Sequence, residues 1–268
     1  MASNLSDVAS MGGKPLYAVV ILALRPEVQV AQVEEMYRGM AEIAVQYDTT
    51  VVGGDVVSSP KACMVGVTVY GESHSADSSM LLRRSAARPG DLVAVTGTVG
   101  GSGAGLAMML ESLVFQPDIT AVLRRYHSRP LPRVIEGTRL VEMGVKAAMD
   151  VSDGIVGDLQ KICLASVVSA RLNEARMPVP AEVRQAFPDR WPEFALYSGE
   201  DYELLFTAPA PVMAGAITAL GEPGLAGASV IGEITDGHPG QVTLIDNDGK
   251  ERLANRGGWD HFASQNKS

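Results

Sequence analysis

Cysteine is nearly absent from this chain. Cys63 and Cys163 are the only two in 268 residues, and a hundred positions separate them. With no C-x-x-C pair and no Cys/His cluster, a zinc site is not indicated. Both cysteines sit in apolar surroundings and read as small core residues of a reduced, cytoplasmic protein. Histidine is scarce too. His74, His127, His238 and His261 fall in polar or terminal segments, and none is spaced with a Ser or Cys to form a visible triad. A Walker A sequence is missing, which excludes an ordinary P-loop. Long hydrophobic runs are missing as well: the longest, Tyr17 to Leu24, is too short to span a bilayer. No charged n-region followed by an apolar h-region begins the chain, so no signal peptide is expected. Positive charge is in deficit, with 22 Lys and Arg against 31 Asp and Glu, a net charge of −9. Such a chain has no general electrostatic reason to bind nucleic acid or an anionic membrane. A polyanionic substrate would need metal ions or a few placed arginines.

What is present is an ordinary apolar content of 46% with 20% charged residues. The length suits one large domain or two of usual size, burying roughly three-quarters of the unfolded surface. Strand and helix signals alternate. Leu5, Val8 and Ala9 share a helical face that ends at Gly12-Gly13 and Pro15. Leu16–Leu24 and Cys63–Tyr70 read as strands, and Thr50–Val52 as a short strand entering Gly53-Gly54. Tyr37, Met40, Ala41 and Ala44 recur at helical spacing and read as a core stripe. The polar run 71–79 and the Arg88-Pro-Gly-Asp91 turn place a domain boundary between about 72 and 90. Beyond it the spacing predicts strands at 92–96, 147–151, 170–172, 202–207, 230–235 and 242–245. Helices are expected at 106–113, 119–127, 133–143, 155–165 and 212–220, and Asn247-Asp-Gly249 is a hairpin-type turn. Such mixed elements predict an α/β (α+β) protein with mixed sheets and packed helices, an N-terminal domain over 1–75 and a C-terminal α/β domain over 90–268.

Two segments carry the most chemistry. In Met149-Asp-Val-Ser-Asp-Gly154 a small-residue strand end presents Asp150, Ser152 and Asp153 together. Ser198-Gly-Glu-Asp-Tyr-Glu-Leu-Leu-Phe-Thr207 sets Glu200, Asp201 and Glu203 against an apolar strand. Asp7 and Asp55 add carboxylates where apolar runs meet turns. Hard oxygen ligands in such places suit Mg²⁺, and Mg²⁺ suits phosphates; singly, each Asp also suits a helix cap or a turn. The Gly-rich stretch 97–105 lies between a strand and a helix. It fits either a phosphate cradle or close helix–strand packing. Arg83-Arg84 fits a phosphate clamp or a solvated pair. Trp259 fits a stacking platform or a C-terminal anchor.

Asn-Leu-Ser-Asp7 through Pro15, Val-Gly-Gly-Asp55, Arg84-Ser85, Gly-Asp91 to Gly-Thr98, Asp-Val-Ser-Asp-Gly154 and Ser-Gly-Glu-Asp-Tyr-Glu-Leu-Leu-Phe-Thr207 appear in order. With the Gly-Trp-Asp-His-Phe262 ending, the sequence resembles the thiamine-monophosphate kinase family over nearly its whole length. That family belongs to the superfamily of aminoimidazole ribonucleotide synthetase and selenophosphate synthetase. The resemblance implies ATP-dependent phosphorylation of thiamine monophosphate to thiamine diphosphate with Mg²⁺. It implies Asp7, Asp55, Asp150 and Asp153 as metal ligands, and Tyr37, Gly54, Arg84 and Ser152 as ATP contacts. Glu200 and Trp259 would contact the thiamine moiety. It also implies two α/β domains, with N-terminal domains pairing into a barrel across a homodimer. The nucleophile would be a phosphate oxygen already ionised at neutral pH. No general base is then needed, and metal ions with in-line positioning overcome the repulsion of two polyanions.

Three departures accompany the resemblance. The family carries further residues before Asn4, including an acidic Gly-Asp-Asp, so the N-terminal domain is expected to be incomplete here. Val56-Val57-Ser58 stands where Thr-Thr-Arg is frequent, and Gly101 where Asp is frequent. Another ATP-dependent enzyme of the superfamily, or a non-catalytic nucleotide-binding remnant, are the alternatives.

Overall fold

The computed structural model describes residues 1–74, 80–254 and 257. Three strands, β1 (Gly13–Leu24), β2 (Thr50–Ser58) and β3 (Met64–Ser73), form a sheet in the order β2-β1-β3. β1 runs parallel to β2 and antiparallel to β3. The central strand alternates with period two: Ala18, Val20 and Leu22 are buried, while Tyr17 and Ile21 are 51% and 54% exposed. One face therefore meets the interior, and the other leaves Tyr17, Ile21, Val57, Met64 and Tyr70 open. Helix α1 (Ala2–Ser10) packs its Leu5 and Ala9 inward, and Asn4 Nδ2 donates to the Val67 carbonyl at 3.0 Å. Helix α2 (Val30–Gln46) lies against β2.

Seven strands form the second sheet: β4 (Leu92–Thr96), β5 (Ala147–Asp150), β6 (Ser169–Asn173), β7 (Leu204–Ala208), β8 (Ala228–Thr235), β9 (Val242–Ile245) and β10 (Glu251–Leu253). Their order is β10-β9-β6-β8-β4-β7-β5, antiparallel at every step except β6/β9. Helices cover both faces. Val93 and Val95 of β4 enter a core with α6 (Ile155–Ser166), whereas Ala94 enters a second core with α1, α5 (Val134–Glu142) and α9 (Ala210–Leu220). Burial on both faces is why β4 and β7 read as unbroken apolar runs instead of alternating ones. A third core joins α3 (Gly101–Leu110), α4 (Pro117–Ser128), α7 (Ala181–Ala186) and α8 (Trp191–Tyr197), where Phe115, Phe187 and Phe194 meet edge to face. Among the described residues no helix is long and apolar enough to cross a membrane.

The sequence expectations fail where periodicity says which face is apolar but not whether anything covers it. Cys63 is exposed, because the strand it precedes is itself largely uncovered; Cys163 is buried as expected. Of the α2 stripe only Ala44 is buried, while Tyr37 and Met40 are half-buried and Ala41 is exposed. Helix α3 starts at Gly101, five residues before the expected start, because its glycines are helical. Gly101, Gly103 and Gly105 have no room for a side chain: a Cβ would meet Tyr126 at 2.6 Å, Ser198 at 2.2 Å and the Leu123 carbonyl at 2.2 Å. Packing therefore accounts for the Gly-rich stretch. The short helices α7 and α8 gave too few turns for a periodic signal. At Asn247-Asp-Gly249 the hairpin forms as expected, with Asp246 Oδ1 accepting from the amides of Asp248 and Lys250.

Candidate active site

Helix α1 crosses the end of β5 and brings two N-terminal residues to Asp150. Ser6 Oγ donates to Asp150 Oδ2 at 3.0 Å, a bond between groups 144 positions apart. Asp7 lies close enough to act on Asp150 by charge. Burial pushes Asp7 up while Arg84, in a 3-10 turn over Arg84–Ala86, pulls it down. For Asp150, which is 4% exposed, burial outweighs the Ser6 hydrogen bond. With Asp7 and Asp158 adding repulsion, its carboxyl is pushed up to about 6.

Past β5 the chain turns sharply. Asp158, fully buried on α6, accepts from the amides of Ser152 and Asp153, both at 3.0 Å, and holds the turn from below. Lys161, one turn further along α6, binds Asp158 at 2.7 Å and also Asp153. The Ser152 carbonyl accepts from Glu200 N at 3.0 Å, and the Val151 carbonyl from Tyr202 N at 3.0 Å. Those two bonds zip the 150–154 turn to the 198–203 turn. Glu200 and Tyr202 both take positive φ, 65° and 54°. Strain of this kind in non-glycine residues persists only where the surroundings enforce it. Gly199 makes the approach possible, since a Cβ there would stand 2.0 Å from the Ser152 carbonyl oxygen.

The neighbours of Glu200 are structural. Asp201 accepts from the amides of Gly100 at 2.6 Å and Ser102 at 3.0 Å, so it fills the N-terminus of α3 that a phosphate could otherwise use. Burial nevertheless pushes its carboxyl up to about 7. Glu203, 3% exposed, is gripped by Arg133 through Nε at 2.7 Å and Nη2 at 2.5 Å, and by Thr96 Oγ1 at 2.6 Å. Burial opposes the Arg133 charge, but Glu203 outweighs it and raises Arg133 above its ordinary value.

Beside the turns opens a cavity of about 500 Å³. Ser152, Asp153 and Glu200 stand at one side, Leu106, Ala107 and Leu110 of α3 at another, with Ser102 and His127 beyond. Ser102 Oγ and His127 Nδ1 are 3.0 Å apart. No lysine or arginine lines it, while Glu111, Asp153, Glu193 and Glu200 do. Glu111 is neutralised by Arg190 at 2.9 Å and Asp153 by Lys161, but Glu200 has no ion pair among the described residues. Apolar walls with excess negative charge suit a flat cation.

Of the residues singled out in the sequence, Asp7, Arg84 and Asp150 come together, and Ser152, Asp153 and Glu200 share the cavity wall. Asp55 does not join them. It is exposed on β2 opposite Ile21, its Oδ1 bonded to the next amide at 2.9 Å, on the uncovered face of the small sheet. Gly54 sits on β2 against β1, where a Cβ would come 1.8 Å from the Val20 carbonyl oxygen. Tyr37 is half-buried on α2. Trp259 lies outside the described residues. Sequence reasoning missed Ser6, Asp158, Lys161 and Arg133. Only Asp158 and Lys161 left a signal, as an acid and a base three apart on one helix face.

Do these residues fit Mg²⁺? Among the described residues no group of three or more His, Cys, Asp or Glu side chains could hold a metal ion together. Mg²⁺, however, keeps several waters and takes one or two carboxylates plus substrate phosphates. The repelling pair Asp7–Asp150, one of them buried without a cation, fits that need.

The same carboxyls give a pH signature. Asp150 at about 6 and Asp201 at about 7 hold protons more tightly folded than unfolded, where an aspartate titrates near 3.9. Their contribution to stability is therefore complete below about pH 4 and is lost as pH rises through 6 to 7. In metal-free buffer, urea unfolding from pH 4.5 to 7.5 should show Asp150→Asn flattening that decline by up to ~2 kcal/mol, at about 1.4 kcal/mol per pH unit between pH 4.5 and about 6. Parallel curves for the two proteins would contradict the environment described for Asp150.

The family model "AIR synthase related protein, C-terminal domain" matches residues 88–245, and the corresponding N-terminal domain model matches residues 1–73. A thiamine-monophosphate kinase of Bacillus subtilis (strain 168) is 40% identical over 212 residues, 77% of this chain and 63% of its own length. The chain thus spans less than two-thirds of that relative. One from Escherichia coli O157:H7 is 35% identical over 266 residues, 98% of this chain and 79% of its own. Among solved structures, AaThiL complexed with AMPPCP and TMP superposes with a TM-score of 0.82 at 31% identity, covering 97% of this chain and 78% of that one.

Proposed function

The chain belongs to the thiamine-monophosphate kinase family of the AIR synthase related proteins, and from that premise we propose that it transfers the γ-phosphoryl group of ATP to the phosphate of thiamine monophosphate, with Mg²⁺. The observation that carries this reading is the cavity: apolar walls and the unpaired Glu200 carboxylate open directly onto the Asp150–Asp153 turn. A thiazolium cation fits the first, and a phosphate group extending from it would reach the second. The AMPPCP and TMP of the AaThiL complex are one nucleotide analogue and one TMP on a like fold.

In this reading Asp7 and Asp150 would hold one Mg²⁺ with waters and substrate phosphates, Asp153 would meet a phosphate-bound Mg²⁺ from the cavity wall, and Asp55, on the open face of the small sheet, stands apart from them. When bound, the ion would supply the positive charge that offsets the phosphates. The protein's own part is positioning. Asp158 and Lys161 fix the carboxylate-bearing turn, and Ser152 and Arg84 face the nucleotide with Tyr37 and Gly54. Glu200 and Trp259 hold the thiamine moiety. No side chain is asked to take a proton, because the acceptor oxygen is already an anion.

We divide the chain into an N-terminal domain over 1–75 and a C-terminal domain over 90–268. A homodimer would cover the open face of the small sheet, where Tyr17, Ile21, Met64 and Tyr70 are each more than half exposed. Small-molecule substrates and a buried reduced thiol at Cys163 fit a cytoplasmic setting.

Asp150→Asn and Asp153→Asn each replace a hard anionic ligand by an amide. Each should weaken MgATP binding by at least about tenfold, ~1.4 kcal/mol. Titration calorimetry giving unchanged MgATP affinity in both variants would sink the metal assignment.

A further inference from the structure

Two polar side chains in the cavity beside the turns, Ser102 and His127, have no task in phosphoryl transfer. From Ser152 the wall runs through Gly199 and Ser198 to α3, where a Cβ on Gly103 would stand 2.2 Å from Ser198 Oγ. His127, in the last turn of α4, lies against Gly105 of the same helix, where a Cβ would come 3.1 Å from the His127 Cβ. The two glycines thus bring Ser198 and His127 against one helix, and both line the cavity.

Ser102 is held at two points. Its amide donates to Asp201 Oδ1 at 3.0 Å, and its hydroxyl, on a residue 1% exposed, lies 3.0 Å from His127 Nδ1. A buried hydroxyl needs an acceptor for its proton. With His127 Nδ1 as that acceptor, the ring proton is assigned to Nε2. Asp201 follows Glu200 in sequence. The backbone that sets Glu200 therefore also sets Ser102 and, through it, the imidazole.

On the reading of this cavity as the thiamine monophosphate site, we propose that His127 determines specificity for the aminopyrimidine ring: its Nε2–H donates to a ring nitrogen, and Ser102 positions it. Glu200 faces the thiazolium and the Asp150–Asp153 turn faces the phosphate, so the aminopyrimidine lies along the remaining wall. Leu106, Ala107 and Leu110 give that ring apolar cover. Its two ring nitrogens only accept hydrogen bonds, and no lysine or arginine lines the cavity to donate to them. An imidazole of fixed tautomer supplies a neutral donor without adding charge beside the thiazolium cation. A ligand lacking the nitrogen leaves that donor unsatisfied.

The probe is an analogue of thiamine monophosphate whose pyrimidine is replaced by a benzene ring with the same amino and methyl groups. It keeps the thiazolium, the phosphate, the amine and the shape, and lacks both acceptor nitrogens. Titration calorimetry of the whole chain should show the analogue binding about tenfold more weakly than thiamine monophosphate. His127→Phe should weaken thiamine monophosphate by about the same factor and leave the analogue nearly unchanged. Ser102→Ala, which frees the tautomer, should show the same pattern with a smaller loss. Circular dichroism melting checks that each variant is folded. Equal affinity of the two ligands for the unmodified protein overturns the proposal without any variant. So does a variant that weakens both ligands alike, which makes the pair a strut between α3 and α4. In both of those outcomes thiamine monophosphate still binds and the kinase reading stands. No binding of thiamine monophosphate to the unmodified chain overturns that reading itself, and the role of His127 with it.

Discussion

Arg133→Met is expected to unfold at a markedly lower temperature than the unmodified protein. It leaves Glu203, 3% exposed, without the fork that grips both of its oxygens. Breaking a buried ion pair from one side typically costs about 3–5 kcal/mol, because the remaining charge stays desolvated. For a chain of this size that is on the order of 10 °C in the midpoint. Removing both charges should recover most of the loss, since well-packed apolar groups can replace a buried pair at little cost. Arg133→Met/Glu203→Leu is therefore expected to melt well above Arg133→Met alone. Calorimetric melting of the three proteins checks this. Equal midpoints for the single variant and the unmodified protein would mean that water reaches Glu203 and that the pair is not a foundation of the site.

Gly199→Ala should be the most damaging small change to activity. The 150–154 and 198–203 turns touch where Gly199 passes the Ser152 carbonyl, and a methyl group would stand 2.0 Å from that oxygen. Backbone cannot yield there cheaply, so the turns must part. Glu200 would shift relative to Ser152 and Asp153 by about an ångström. A misplacement of that size costs on the order of 10²-fold in rate when catalysis is positioning. The expected result is a fall of that order in kcat/KM for thiamine monophosphate, with Mg²⁺ affinity nearly unchanged because Asp7 and Asp150 stay put. A variant with unaltered kinetics would show that the junction of the turns does not set the reacting geometry.

These two positions also show what the sequence could and could not disclose. Asp150, Ser152, Asp153 and Glu200 stood out because each lies where an apolar strand meets a turn, a local signal. Glu200, Asp201 and Glu203 looked alike in sequence, yet one faces the cavity, one caps α3 and one meets Arg133. Their partners lie 70 to a hundred positions away, so no window of sequence contains the distinction. The bond from Ser6 to Asp150, 144 positions long, is hidden for the same reason. Six strands of the large sheet were legible, β4 and β7 most clearly because burial on both faces leaves unbroken apolar runs, whereas β10, exposed throughout, was not. The small sheet misled, with Cys63 and the α2 stripe, because an apolar face on paper looks the same whether or not anything covers it.

The central claim is that this chain joins a phosphoryl group from ATP to the phosphate of thiamine monophosphate at the Asp150–Asp153 turn. Its most direct test is product analysis. The purified chain is incubated with Mg²⁺, γ-labelled ATP and thiamine monophosphate, and the label is followed by chromatography, with Asp150→Asn in parallel. The expected result is label in thiamine diphosphate, one for each ADP released, at a rate at least about tenfold lower in the variant. Label appearing only as inorganic phosphate, or equal thiamine diphosphate formation by Asp150→Asn, would contradict the account.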